Sequence, residues 1–116
     1  MNTVAAFHQD GRTPVTTQNP AHPNEIITIY ATGLGALNPA QVTGALSTGS
    51  PTVLTITAAL DSFFVPVPFA GGAPGFAGLN QVNIQIPANA RTAPDLRLII
   101  VANGFLSNSV AIPVGP

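Results

Sequence analysis

The segment QVNIQI, residues 81–86, alternates amide side chains with aliphatic ones at every position. Successive side chains of a β-strand point to opposite faces, so Val82, Ile84 and Ile86 share one face and the three amides share the other. This period of two is typical of a strand that has one face in a hydrophobic core and the other toward solvent. The segment therefore predicts one strand of a β-sandwich.

Other segments of similar length carry the same signal, because 12 prolines and 11 glycines divide the chain into short apolar pieces. No stretch between these breakers offers the three-to-four spacing of a long amphipathic helix. The predicted strands are residues 3–8, 25–32, 53–60, 63–69, 81–86, 96–102 and 105–114. About seven short strands joined by Pro/Gly turns predict an all-β, immunoglobulin-like sandwich that occupies residues 1–116 as a single domain.

Two hairpins and one edge strand are predicted from the turn residues. Asp61-Ser62 joins residues 53–60 to residues 63–69, and Asn103-Gly104 readily takes the positive φ angles of a type I′ turn. Pro66 and Pro68 lack amide donors along one side of residues 63–69, so that strand is expected at a sheet edge. The remaining long connections, where a local function would lie, are residues 10–24, 33–52 and 71–79.

Charge is scarce, at 6% of residues against roughly 25% in average soluble domains, and there is no lysine or cysteine. Arg12, Arg91 and Arg97 are scattered, so a nucleic-acid partner is not expected. No apolar run approaches the ~20 residues of a membrane span, so we predict no membrane insertion. No basic and apolar leader opens the sequence, so any export signal is expected on a longer precursor.

Four segments together carry a resemblance to a known family: AAFHQDG (5–11), NPAHPNEIITIYATGLGALNP (19–39), FAGGAPGFAGLNQVNIQIPANA (69–90) and VANGFLSNSVAIPV (101–114). The chain resembles the Solibacter-type C-terminal domain family, a bacterial immunoglobulin-like group related to IPT/TIG domains. The order APGFAGLNQVN is its most specific part. One departure is Leu60-Asp61-Ser62-Phe63, which stands where the family is expected to have a Gly-Gly hairpin.

The resemblance implies a repeated or terminal module of a large secreted or cell-surface protein, and it assigns no activity to the domain. The expected function is therefore a non-catalytic extracellular structural or interaction module that packs against neighbouring domains or copies of itself. Little charge means little repulsion between copies, and the expected contacts are the terminal strands, residues 3–8 or 109–114. The alternative is an adhesion module that binds a surface carbohydrate or protein.

Candidate sites are few, and we predict no catalytic, metal or cofactor site. His8, Asp10 and His22 suit a transition metal by ligand type, but a proline-flanked loop separates His22 from the other two and no fourth ligand is expected nearby. The four acids, which calcium or paired-carboxylate catalysis would need close together, are dispersed at Asp10, Glu25, Asp61 and Asp95.

The remaining candidates are glycines and one tyrosine. Gly33, Gly35 and residues 71–78 resemble phosphate loops, but no helix is predicted to follow them, so they are interpreted as turns. Tyr30 is the single tyrosine of a chain without tryptophan, and it is the one residue expected to stack on a sugar ring if the module binds carbohydrate.

Overall fold

The protein consists of β-strands and connecting turns throughout the part that the structure describes. The computed structural model describes residues 2–32, 56–73, 79–102, 105–107 and 109–116. Its strands are β1 (Asn2–Phe7), β2 (Ile26–Thr32), β3 (Ile56–Leu60), β4 (Phe63–Val65), β5 (Phe69–Gly72), β6 (Asn80–Gln85), β7 (Ala93–Ala102), β8 (Phe105–Leu106) and β9 (Val110–Val114). Within these ranges there is no helix, and hence none with the length and apolarity to cross a membrane.

The strands form two antiparallel sheets. The first sheet has the order β1-β2-β6-β5. The second has the order β4-β3-β7-β8, and β9 also pairs with β7. Because β3 pairs with the opposite side of β7, β8 and β9 follow one another along a single edge of that strand. The all-β sandwich predicted from the sequence is confirmed.

The core lies between the two sheets and is built from aliphatic side chains of both. In the first sheet Ile27 pairs with Ile84 and Ile29 with Val82, and all four are fully buried. The other large side chains that are almost completely buried are Ile86, Leu96, Leu98, Ile100 and Ile112. Each such side chain contributes about 1.5–3 kcal/mol by leaving water. The alternation of aliphatic and polar residues in 25–32 and 81–86 therefore predicts correctly which aliphatic side chains face the core.

The prediction of one edge strand over residues 63–69 is wrong, because this stretch ends one strand and begins another. Pro66 and Pro68 cannot donate to a strand ladder, and the chain crosses between them from the second sheet to the first. The Pro66 carbonyl already accepts a hydrogen bond from Gln85 N of the first sheet, at 3.0 Å. Both products, β4 and β5, lie at sheet edges, as the prolines indicated.

Residues 105–114 were predicted as one strand and likewise form two. Two residues separate Leu98 from Val101 on β7, but three separate their partners Leu106 and Val110, so one residue is extra. In this interval the Ser107 hydroxyl accepts a hydrogen bond from Ile100 N at 2.8 Å, where a strand carbonyl would otherwise serve. The side chain thereby interrupts the ladder like a β-bulge.

The other predicted strands agree with the structure within a few residues. β1, β2 and β6 match the predictions at 3–8, 25–32 and 81–86 to within one residue at each end, and β7 begins earlier than predicted, at Ala93. The β7–β8 hairpin is confirmed by the pair Ala102 and Phe105, while its turn residues lie outside the described residues. The predicted connection at residues 33–52 also lies outside the described residues, and so do residues 53–55, the beginning of the strand predicted at 53–60.

The turn Asp61-Ser62 closes the predicted β3–β4 hairpin, in which Leu60 pairs with Phe63. Both turn residues have positive φ, 54° at Asp61 and 69° at Ser62. Positive φ at both central residues is the geometry of a type I′ turn, whose twist matches that of the flanking strands. The two turn residues therefore adopt a backbone conformation that is unfavourable for residues other than glycine.

Replacing Ser62 by glycine is expected to stabilise the domain. A Cβ in the left-handed region costs about 1–2 kcal/mol, and glycine loses about 0.5–1 kcal/mol through the extra freedom of the unfolded chain. The free energy of unfolding of Ser62→Gly, measured in urea, should rise by about 0.5–1 kcal/mol. Thr57→Gly, at an exposed position of β3, is the matched control and should lower it; a destabilised Ser62→Gly would contradict the turn assignment.

Candidate functional site

Residues 8–25, called here the edge segment, run along one side of the sandwich and contact both sheets. Val15 N donates to Ala6 O of β1 at 3.1 Å. At the other end of the segment, Ala21 N donates to Pro113 O of β9 at 3.0 Å. These bonds occupy part of the outer edges of the two strands. The long connection predicted at residues 10–24 is therefore an ordered bridge between the sheets.

Two glycines show how closely the edge segment packs. Gly11 has a φ of +70°, and a Cβ added there would lie 3.0 Å from the Tyr30 hydroxyl. At Gly115 an added Cβ would lie 2.8 Å from Cγ of Pro20, and the Gly115 amide donates to Ala21 O at 2.8 Å. Larger residues at either position would displace the segment.

His8 joins the beginning of the edge segment to its end. Its Nδ1 bonds to Oε2 of Glu25, and its Nε2 lies 2.9 Å from Asn19 O. Both partners are acceptors, and only the protonated imidazolium donates from both ring nitrogens. The other Glu25 oxygen accepts from His22 N at 3.0 Å. The side chains of His8 and Glu25 are only 15% and 21% exposed, so this ion pair is a partly buried closure of the segment.

The surroundings of His8 raise its pKa above the ordinary value of 6.5. Partial burial acts in the opposite direction, but the Glu25 and Asn19 hydrogen bonds and the negative charges of Glu25 and Asp10 outweigh it. Acceptors that belong to the same segment therefore favour the protonated form of His8. The arrangement stabilises a local structure and engages both ring nitrogens.

Asp10 closes a turn within the edge segment. Its Oδ1 accepts from Arg12 N at 2.9 Å and Thr13 N at 2.8 Å, and its Oδ2 accepts from the Thr13 hydroxyl at 2.5 Å. These bonds lower the pKa of Asp10 to about 2. Although Asp10 is two residues from His8, the two do not share a strand face, because β1 ends at Phe7 and Asp10 lies in the following turn.

The structure does not bring the candidate metal ligands together. His22 Nδ1 is 3.0 Å from Pro116 O, both ring nitrogens of His8 bond to Glu25 and Asn19, and Asp10 is occupied by its own turn. Across the described ranges, no three or more His, Asp or Glu side chains are placed to hold a metal ion. Asp61 forms its ion pair elsewhere, and Asp95 lies on β7.

A cleft of about 470 Å³ lies at the end of the sandwich beside the β3–β4 hairpin. Leu60 and Leu96 line it from the core, and Phe63 and Phe64 line it from the hairpin. The two phenylalanines are 70% and 77% exposed, which is unusual for large apolar side chains. This surface, called here the phenylalanine tip, consists of Phe63 and Phe64 beside the cleft.

An ion pair stands at the rim of this cleft. Arg91 Nε donates to Asp61 Oδ2 at 2.7 Å, and Arg91 Nη2 donates to Asp61 Oδ1 at 3.1 Å. The bidentate contact lowers the pKa of Asp61 and raises that of Arg91. Both groups lie at the surface, so the pair adds little stability and mainly fixes the position of the hairpin.

The outward face of the first sheet carries a row of amides with aromatic rings beside it. Gln81, Asn83 and Gln85 of β6 point away from the core, opposite the buried Val82 and Ile84. The strand register brings three aromatic side chains onto the same outward face from neighbouring strands: Tyr30 opposite Gln81, Phe69 opposite Asn83, and Phe7 opposite Thr28.

Tyr30 is held within this outward face. Its ring packs edge to face on Phe7, with centroids 5.5 Å apart, and its hydroxyl donates to Gly11 O at 3.4 Å. It is half-buried, as the alternation in residues 25–32 indicated. Tyr30 is thus a fixed aromatic group at the boundary between the first sheet and the edge segment.

The glycine candidates give little information about a site. Gly33 and Gly35 lie outside the described residues. Gly71 and Gly72 belong to β5 and not to a loop, so the predicted loop at residues 71–79 begins too early. Residues 74–78 lie outside the described ranges as well.

Sequence reasoning missed two features of these surfaces. No local pattern joins His8 to Glu25, which are separated by the whole edge segment and meet only in the folded chain. The exposure of a phenylalanine could have been predicted, because two adjacent residues of a strand cannot both face the core. Phe63 and Phe64 follow a turn directly, so at least one of them had to be exposed or cover a second surface.

No protein-family model, curated protein or solved structure matches this chain. The resemblance to the Solibacter-type C-terminal domain family therefore stays a prediction.

The His8–Glu25 pair is expected to make stability depend on pH. Because the pKa of His8 is raised by folding, its contribution is fully present below pH 6.5 and is lost as the pH rises through the folded-state value. The free energy of unfolding should fall across this window in chemical denaturation. His8→Gln should remove the dependence and cost about 1 kcal/mol at pH 6. His22→Gln retains His8 and is the control; an unchanged slope in His8→Gln would contradict the assignment.

Proposed function

We propose that this domain is a non-catalytic structural or interaction module of a secreted or cell-surface protein, and that it associates with neighbouring domains or copies of itself. The resemblance to terminal modules of large surface proteins supports this proposal. A second support is that three of the five ionisable side chains of the edge segment bond within the segment itself. His8, Glu25 and Asp10 all bond within the segment.

The phenylalanine tip is the observation that carries the proposal. Phe63 pairs with buried Leu60 and lies on the same side, over the end of the core, whereas Phe64 pairs with Ala59 and lies on the opposite side of β4. Both lie on β4 directly after a two-residue turn, so their backbone is fixed and loses little conformational freedom when a partner covers them. Rigid aromatic side chains next to a cleft are typical anchors of protein interfaces.

The scarcity of charge favours contact between copies. With three basic and four acidic residues in 116, two domains approach with little electrostatic repulsion. The sequence favoured the terminal strands as the contact, but the edge segment bonds to Ala6 of β1 and to Pro113 of β9. We therefore place the contact at β4, where the two phenylalanines are exposed beside an edge strand.

Sedimentation velocity over a range of concentrations tests this proposal. The parent domain should show a rising weight-average sedimentation coefficient, and the double variant Phe63→Ser/Phe64→Ser should weaken association at least about tenfold, or ~1.4 kcal/mol. Leu106→Ser is the matched control, since Leu106 is 65% exposed on β8 and should be dispensable.

Circular dichroism and thermal melting establish that each variant is folded. A parent domain that stays monomeric at every concentration would contradict self-association. Equal loss in the Leu106→Ser variant would show that general surface apolarity, and not the phenylalanine tip, governs the contact.

A further inference from the structure

We infer that the outward face of the first sheet binds a neutral polysaccharide, and that it does so separately from the phenylalanine tip. The inference goes beyond the proposed association of domains, because it assigns a ligand class to a different surface. The binding face is defined as the amides of β6, namely Gln81, Asn83 and Gln85, with Tyr30 and Phe69 on either side.

The charge of the first sheet limits the kind of ligand that it can bind. The four strands of the first sheet have the sequences NTVAAF, IITIYAT, NQVNIQ and FAGG, which contain no acidic or basic residue. A phosphate, a nucleic acid or an acidic glycan would find no opposite charge on these strands. The chemistry of the sheet therefore favours an uncharged ligand.

The amide row of β6 has hydrogen-bonding groups that a ligand can use. Gln81 Nε2 donates to Asn83 Oδ1 at 3.0 Å, and the Thr28 hydroxyl donates to the same oxygen at 3.4 Å. Gln85 Nε2 donates to Asn24 O at 3.4 Å, so the row is anchored at its other end. The bonds from Gln81 and Thr28 use both lone pairs of Asn83 Oδ1, so Asn83 offers a ligand its NH2 donors, while Gln81 and Gln85 each keep a second N–H beside their carbonyl oxygens. Hydroxyl groups, which both donate and accept, match such a row.

Two aromatic rings lie on opposite sides of the amide row. Tyr30 on β2 and Phe69 on β5 flank β6, and both are half-buried. Two strand spacings separate them, a distance on the order of 10 Å. That distance is longer than one pyranose ring, so an oligosaccharide segment is the expected ligand. The C–H face of a sugar ring packs on an aromatic side chain while its hydroxyls reach the amides between.

The geometry of the face is fixed before a ligand arrives. The Tyr30 ring is held by Phe7 and by its bond to Gly11 O, and the amides rest on a sheet that pairs on both sides of β6. Rings and amides that do not reorganise lose little entropy on binding. The expected mode is weak binding to one sugar chain, strengthened by several copies of the domain.

Two-dimensional NMR with soluble oligosaccharides tests the inference. The probes are cellohexaose, laminarihexaose, xylohexaose and maltohexaose, with hexagalacturonic acid as the charged comparison. At least one neutral probe should shift the side-chain amide signals of Gln81, Asn83 and Gln85 at concentrations up to roughly 10 mM, which detects a Kd of order 1 mM. Phe69→Ala and Asn83→Ala should each weaken that binding at least about fivefold. Thr57→Ala, on the exposed side of β3, should bind like the parent.

Each outcome of the NMR experiment either supports or overturns the inference. Absence of shifts with all four neutral probes overturns the inference, and so do shifts confined to Phe63 and Phe64, which would place the ligand at the other surface. Equal or tighter binding of hexagalacturonic acid overturns the assignment to neutral sugars. Dispersed amide spectra of Phe69→Ala and Asn83→Ala show that these variants are folded. Because sedimentation tests the phenylalanine tip without any sugar, failure of one proposal is distinguishable from failure of the other.

Discussion

The packing of two uncharged aliphatic surfaces against each other is the constraint on which the whole domain depends. Ile27 and Ile84 from the first sheet and Leu98 and Ile100 from the second are fully buried. With strictly alternating side chains, this burial also determines which residues face outward. Core packing therefore directs Gln81, Asn83 and Gln85 outward, because Val82 and Ile84, which alternate with them on β6, face the core.

A sandwich of two open sheets has four edges, two on each side, and the two sides are protected in different ways. On one side the edge segment bonds to β1 and β9 and closes on itself through His8 and Glu25. On the other side β4 and β5 are short, and prolines separate them. Short edge strands and prolines restrict uncontrolled pairing with other chains. Association through side chains at the phenylalanine tip is consistent with edges of this kind, since it needs no added strand.

Much of the fold was predictable because the signals for it are local. The alternation of residues 81–86 and the turn at Asp61-Ser62 both act over a few neighbours in sequence, and both agree with the structure. The change of sheet after Val65 was not predicted, since prolines exclude a ladder bond without indicating where the chain goes next. The His8–Glu25 pair was inaccessible for a related reason: it depends on how the edge segment folds back, which no short pattern encodes.

The edge segment also bears on where trypsin can cut the domain. Trypsin cleaves after lysine and arginine, and this chain has no lysine and three arginines. Arg12 lies in the turn closed by Asp10, and Arg97 lies in the middle of β7, where its carbonyl accepts from Asp61 N. Arg91 is held by Asp61 beside the cleft. A protease must bind several residues of its substrate in an extended conformation. The edge segment, which covers one side of the sandwich, therefore also protects the peptide bond that follows Arg12.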